Sequence, residues 1–304
     1  MKILRLIYCL FFLSFSHVAY AQTESSIKNG TATIHYKTFG AGKPILIING
    51  GPGMNSDGFA SLAKSLSGKN KTIIYDQRGT GKSFVDKVND STITLQLMLS
   101  DIEVLRKHLK INSWVILGHS FGGMLASYYA ANYPANTDAL ILSASGGIDL
   151  ELLSYLQQNI QKNLSGEDQK LLDYWNSRIS DGDTSYKARL NRGTALAPAY
   201  IYNKEYTAVI AERLTQGNSE VNNLVWEDMR KIKFDCSAKL SKYNKPVLII
   251  QGKQDIIEEK TALKAKKVLK KSTVIFLDNC RHYGWLDAPE EYFNAIRVFL
   301  SKVP

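Results

Sequence analysis

The residues best suited to chemistry are clustered at Gly118-His119-Ser120-Phe121-Gly122-Gly123. A serine hydroxyl becomes a useful nucleophile when a sharp strand-to-helix turn lifts it clear of its surroundings, and glycines beside it leave room for that turn. Trp114–Leu117 reads as the buried strand before the motif, and Phe121–Ala131 as the helix after it. Such a serine needs a base, and the chain has five histidines. His17 lies in an N-terminal apolar segment, His35 and His108 fall at an upstream strand and helix end, and His119 flanks Ser120 with its ring expected to turn away. His282 remains, in the loop after the last expected strand. A carboxylate must orient the imidazole from its far side. Asp255 stands 27 positions before His282, after the expected strand Pro246–Ile250 and a loop opened by Gly252. Asp149 and Asp278 are the alternatives. A second strand-end loop, Gly50-Gly51-Pro52-Gly53, can bring a backbone N–H beside that of Phe121 around a developing oxyanion.

The elements that must position these groups alternate regularly. Thr31–Phe39 alternates apolar and polar residues as a half-exposed strand does, and Pro44–Ile48, Thr72–Tyr75, Trp114–Leu117 and Ala139–Ser143 are short buried-strand runs. Helices are expected over Ser56–Leu66, Thr94–Leu109 and Phe121–Ala131. Strands alternating with helices predict an α/β fold with a mostly parallel central sheet and helices on both faces. From Gly146 to about Tyr243 the pattern changes to helical periods such as Leu152, Leu153, Leu156 and Ile160, without a buried-strand run. The α/β pattern resumes at Pro246–Ile250, with a Lys-rich helix at Lys260–Lys271, a strand at Thr273–Leu277 and a helix at Pro289–Leu300. A helical insertion within one α/β domain follows. The lysines at 260, 264, 266, 267, 270 and 271 read as a solvated helix face.

Composition narrows the classes. With 304 residues, 44% apolar and 22% charged, the chain is of ordinary globular make-up, and disorder or a coiled coil is excluded. The formal charge of +10 has no basic stripe with interleaved aromatics, so no nucleic-acid partner is expected. Lys2 and Arg5, the apolar run Leu6–Phe15 and Ala19-Tyr20-Ala21 before Gln22 have the pattern of a cleaved signal peptide over residues 1–21. That run is too short for a membrane anchor. An exported, periplasmic or extracellular protein is expected, in which Cys236 and Cys280 are free to form one disulfide or to remain separate buried thiols. Neither sits in a metal-binding spacing. Gly79-Thr80-Gly81-Lys82-Ser83 ends like a phosphate loop but lacks its opening glycine, so nucleotide binding is not expected. Asn70-Lys71-Thr72 and Asn163-Leu164-Ser165 are glycosylation sequons that matter only on a eukaryotic secretory route.

The GGPG run at 50–53, Asp76-Gln77-Arg78-Gly79-Thr80-Gly81-Lys82-Ser83, the GHSFGG turn and the Asp255/His282 pair together resemble the α/β-hydrolase superfamily. More narrowly, they resemble the prolyl iminopeptidase branch of serine peptidases. The resemblance spans residues 31–145 and 245–300. It implies a hydrolase core at 22–145 and 245–304, and a helical cap at 146–244. By it Ser120 is the nucleophile, His282 the base, Asp255 its partner, and the N–H groups of Gly51 and Phe121 form the oxyanion hole. Asp76–Ser83 shapes the site from beneath. No cofactor or metal is implied, and the substrate is a short peptide with an N-terminal proline-type residue. Such a substrate brings an ammonium whose burial calls for a carboxylate. Glu151, Glu205, Glu212, Glu220 and Glu227 are the candidates in the cap, with Trp226-Glu227 preferred. An esterase or lipase-like acyl hydrolase, with an apolar and aromatic cap, is the alternative enzyme. A non-catalytic ligand-binding protein on the same fold is the reading from another class, and the complete Ser120, Asp255 and His282 set argues against it.

Overall fold

The computed structural model describes residues 22–303, so the expected signal peptide lies outside the described residues. Nine strands form one sheet: β1 (Thr23–Asn29), β2 (Ala32–Phe39), β3 (Lys43–Ile48), β4 (Asn70–Tyr75), β5 (Phe84–Val85), β6 (Trp114–His119), β7 (Thr137–Ser143), β8 (Val247–Gly252) and β9 (Ser272–Leu277). Their order is β1-β2-β4-β3-β6-β7-β8-β9, with β5 paired to β2. From β4 to β9 the pairings are parallel, and β1, β2 and β5 add an antiparallel edge. β6 and β8 are buried along their whole length, as strands covered by helices on both faces must be.

Alternation along each strand divides the core. Leu46, Ile48 and Ile116 point to one face, and Ile45, Ile47, Val115 and Leu117 to the other. Helices α1 (Ala60–Leu66), α2 (Leu95–His108) and α3 (Phe121–Asn132) connect the first half of the sheet. Thr94 caps α2 by accepting from the Leu97 N–H, and the buried stripe Leu95, Met98, Leu99, Ile102 and Leu105 fixes its inward face. Between β7 and β8 run α4 (Leu156–Lys162), α5 (Gly166–Ser180), α6 (Tyr186–Leu196), α7 (Thr207–Leu214), α8 (Ser219–Lys231) and α9 (Ser237–Leu240). The second half continues with α10 (Glu259–Val268), α11 (Gly284–Asp287) and α12 (Pro289–Leu300).

Two expectations change, one strand is added and one open choice is settled. β2 is largely buried rather than half exposed, because polar side chains that suggested a wet face have partners: His35 bonds Glu24 at 2.7 Å and Thr38 bonds Thr23 at 2.6 Å. β1, rich in polar residues, pairs as the edge strand, and only Ile27 of it is buried. The helix expected from Ser56 opens as a tight turn at Asp57–Phe59 before α1. Cys236 and Cys280 are separate buried thiols and form no disulfide. Burial pushes the Cys236 thiol up to about 12, and the Cys280 thiol up as well.

Candidate active site

The sequence-predicted groups meet beyond the carboxyl ends of the parallel strands, where an open α/β sheet leaves a crevice. Ser120 follows β6 with φ 56° and ψ −123°, a left-handed conformation that a non-glycine residue adopts only under constraint. The constraint is packing: a Cβ on Gly122 would lie 2.2 Å from the Ile48 carbonyl oxygen, so α3 starts pressed against the end of β3. At the neighbouring loop, a Cβ on Gly50 would lie 2.7 Å from Ser120 Cβ. Only glycine lets the two loops approach this closely.

His282 Nδ1 and Asp255 Oδ1 are 2.8 Å apart, both side chains almost without solvent exposure. Asp255 Oδ1 also accepts from the Ile257 N–H at 3.2 Å, and its Oδ2 accepts from Gln251 Nε2 at 2.7 Å. The carboxylate therefore has donors besides the imidazole, which stabilise its charge and hold its plane. Gln251 escaped the sequence reading, although a lone amide near the end of the apolar strand Val247–Gly252 was its signal. The His282 loop is held from the insertion, since the His282 N–H donates to Tyr200 O at 3.0 Å. Asp287 accepts from the N–H groups of Asn203 and Arg281 at 2.8 and 2.9 Å.

Asp149 and Asp278 are not alternatives. Asp149 pairs with Lys264 at 2.6 Å, and the exposed Asp278 pairs with Lys253 at 2.7 Å. The lysine face of α10 thus carries local ion pairs: Lys264 also reaches Glu151 and Lys260 reaches Glu258. His119 does not turn away. Its ring lies 4.6 Å from that of His282 and 5.0 Å from that of Trp285, and burial holds it neutral, far below the usual histidine range. The missing signal was tertiary, because Trp285 and Tyr283 close around the ring only in the folded chain.

The segment Asp76–Ser83 lies under the Gly50–Gly53 loop as expected. Gln77 Nε2 donates to Asn49 O at 3.0 Å, and Asn49 Nδ2 donates to Gly50 O and Met54 O at 3.1 and 2.9 Å. Asp76 accepts from Ser56 N, Ser56 Oγ and Lys82 N at 2.8, 2.8 and 2.9 Å. Arg78 forms a buried two-point ion pair with Asp101, both bonds 2.7 Å.

One cavity of about 180 Å³ joins these groups. Gly50, Gly51, His119, Ser120, Phe121 and His282 line it from the sheet side. Leu152, Leu156, Tyr200, Leu214, Asn222 and Trp226 line it from the insertion. Trp226 packs edge-on against Phe121, with ring centroids 6.1 Å apart. Glu227 is exposed and does not line the cavity, because one residue along α8 turns the side chain about 100° away. Glu205, Glu212 and Glu220 are exposed as well, and Glu151 is engaged by Lys264. The cavity lining contains no carboxylate. Among the described residues no group of three or more His, Cys, Asp or Glu is placed to hold a metal, and no helix is long and apolar enough to cross a membrane.

The family model described as the alpha/beta hydrolase fold matches residues 43–289. A proline iminopeptidase of Lactobacillus crispatus is 27% identical over 269 residues, which cover 85% of this chain and 90% of that one. The crystal structure of a proline iminopeptidase from Mycobacterium smegmatis superposes with a TM-score of 0.70 at 20% identity, covering 92% of this chain and 98% of that one. An esterase from Exiguobacterium antarcticum superposes with a TM-score of 0.69 at 18% identity, covering 89% of this chain and 96% of that one. These two likenesses concern the fold.

Proposed function

The chain belongs to the α/β-hydrolase family, and from that premise we propose that it is a serine hydrolase working through an acyl-enzyme on Ser120. The observation that carries this reading is the 2.8 Å Asp255–His282 pair, whose imidazole lines the same cavity as Ser120 on its strained turn. In the proposed cycle, His282 Nε2 takes the Ser120 proton as the hydroxyl oxygen attacks the substrate carbonyl. Asp255 holds the Nδ1–H tautomer and stabilises the imidazolium. The N–H groups of Gly51 and Phe121 receive the oxyanion. Collapse expels the leaving amine or alcohol with the proton from His282. Water, deprotonated by the same imidazole, then releases the acid and restores Ser120. The insertion at 146–244 acts as the cap that closes this chamber, and no cofactor enters any step.

The acyl part is small and apolar, in keeping with the cavity's size and its Leu, Ile, Met and aromatic lining. Two substrate classes fit that description. The curated relatives favour an N-terminal proline residue of a short peptide, whose ring is such a group. The carboxylate-free lining favours an ester of a short uncharged acid, because a buried ammonium there would be unpaired.

The test is hydrolysis of proline β-naphthylamide beside p-nitrophenyl butyrate by the protein from Gln22 onward, with Ser120→Ala as control. Turnover of either that falls by about 10⁴-fold or more in the control supports the acyl-enzyme. Activity that survives in Ser120→Ala refutes it. The ratio of amide to ester turnover assigns the substrate class. We also propose export, on the basic, apolar and Ala-Tyr-Ala pattern of residues 1–21. Sequencing the N-terminus of the protein recovered outside the cytoplasm is expected to start at Gln22, and an intact Met1 would overturn it.

A further inference from the structure

Arg213 is a cation in an unusual place. It belongs to α7, is only 4% exposed, and its acceptors are all uncharged. Nη1 donates to Asn55 O at 2.6 Å and to Gln216 Oε1 at 2.7 Å, while Nη2 donates to Gly50 O at 3.1 Å. Its guanidinium sits 5.4 Å from the centre of the Phe59 ring. Burial pulls its basicity down, with Tyr283 beside it acting in the opposite direction. A buried guanidinium bonded to no carboxylate costs more than one paired to a carboxylate, and its place against the loop beside Ser120 points to a use.

The identity of one acceptor suggests that use. Gly50 O is the carbonyl of the peptide group whose N–H belongs to Gly51. Because that peptide is trans, its C=O and N–H point in opposite directions. Arg213 and Asn49 hold the carbonyl on one side, at 3.1 Å each. On the other side, Gly50 and Gly51 line the cavity with Ser120, and Gly50 backs directly onto the Ser120 side chain. A donor on the carbonyl also polarises the amide and makes its N–H a stronger donor, more so when the first donor is charged.

We propose that Arg213 is a positioning residue for the oxyanion hole. Acting through the Gly50–Gly51 peptide from outside the chamber, it fixes and polarises the N–H that meets the developing negative charge. This rests on the acyl-enzyme reading and on Gly51 as an oxyanion donor. It also means that the cap supplies part of the catalytic electrostatics besides the walls of the chamber: with α7 displaced, the peptide loses its charged donor while the Asp255–His282 bond stays in place.

The test compares wild type with Arg213→Met and Arg213→Lys on whichever of proline β-naphthylamide and p-nitrophenyl butyrate is turned over, together with inhibition by 1-butaneboronic acid, which forms a tetrahedral adduct on the serine. Removing a direct oxyanion donor costs about 10²- to 10³-fold in kcat, so an indirect one is expected to cost about 10-fold or more in Arg213→Met, with KM changed by less than about threefold. Boronic-acid affinity is expected to fall by the same factor as kcat/KM. Arg213→Lys, which keeps the charge and reaches one carbonyl, is expected to recover part of the loss. A KM effect with unchanged kcat would overturn the proposal and leave Arg213 a wall of the site. Equal kcat in all three proteins would overturn it too. Should Arg213→Met fail to fold, as judged by near-UV circular dichroism, the kcat and boronic-acid changes in Arg213→Lys decide alone. Loss of the acyl-enzyme reading itself would show separately, as activity surviving in Ser120→Ala.

Discussion

The sheet-side loops and the inserted helices both face Ser120, but they are built differently. On the sheet side, the proposed catalytic groups follow strand ends and are tied there: Asp255 by Gln251 of the strand before it, and Gly50 by Asn49, whose carbonyl accepts from Gln77 beyond β4. The helix that starts at Ser120 buries residues on almost every side. On the insertion side, α4 and α5 contain no buried residue at all. The rest of the insertion reaches the core through the buried Val221, Val225 and Met229 of α8 and Ile210 of α7, and through bonds such as Arg213 to Gly50 and Asn55, and Asn222 to Pro52. On the proposed reading, the nucleophile, base and acid sit in the part of the molecule with the most packing constraint. Substrate selection, on the same reading, belongs to the insertion, whose exposed α4 and α5 surfaces can change at little cost to the fold.

That contrast can be broken by substitution. Gln251→Leu should give the largest effect, since it strips a 2.7 Å donor from a buried carboxylate and leaves an oxygen unpaired. We expect kcat to fall by about 10-fold or more with KM nearly unchanged, read from steady-state kinetics on the preferred substrate. A loss confined to KM would place Gln251 with the cap and contradict the division. Trp226→Ala, on the other side, should raise KM by about 10-fold for a small acyl substrate and leave kcat within a few fold, because it removes wall rather than machinery. A kcat loss as large as that of Gln251→Leu would erase the distinction. The smallest expected effect belongs to Glu227→Gln, which alters an exposed side chain outside the cavity. Both constants should stay within about twofold on proline β-naphthylamide. A tenfold rise in KM would restore Glu227 as an ammonium anchor and shift the cap's inner face.

What could be read in advance followed the same division. Each parallel strand lies within two or three residues of its expected bounds, because burial between helices enforces an unbroken apolar run, and α12 matches its expected bounds by its one apolar face after Pro289. Asp255 and His282 were found by their positions after strands, since a topology that places strand ends together also places the loops after them together. Gln251 and Arg213 were not singled out, although each carried a faint local signal. Gln251 is polar within an apolar strand, and Arg213 shares the inward face of α7 with Ile210.

The amino-acid sequence by itself determined the parallel strands of the sheet, the turn at Ser120 and the chain order of Ser120, Asp255 and His282. Those depend on short-range rules: side-chain period, glycine's tolerance of close approach, and connections of fixed length. The tertiary structure alone decided that the His119 ring packs beside His282, that Glu227 faces solvent, that the two cysteines stay apart and that a buried arginine grips the Gly50–Gly51 peptide. These outcomes depend on contacts between residues far apart in the chain, which come into being only when the strand-end loops and the insertion settle together.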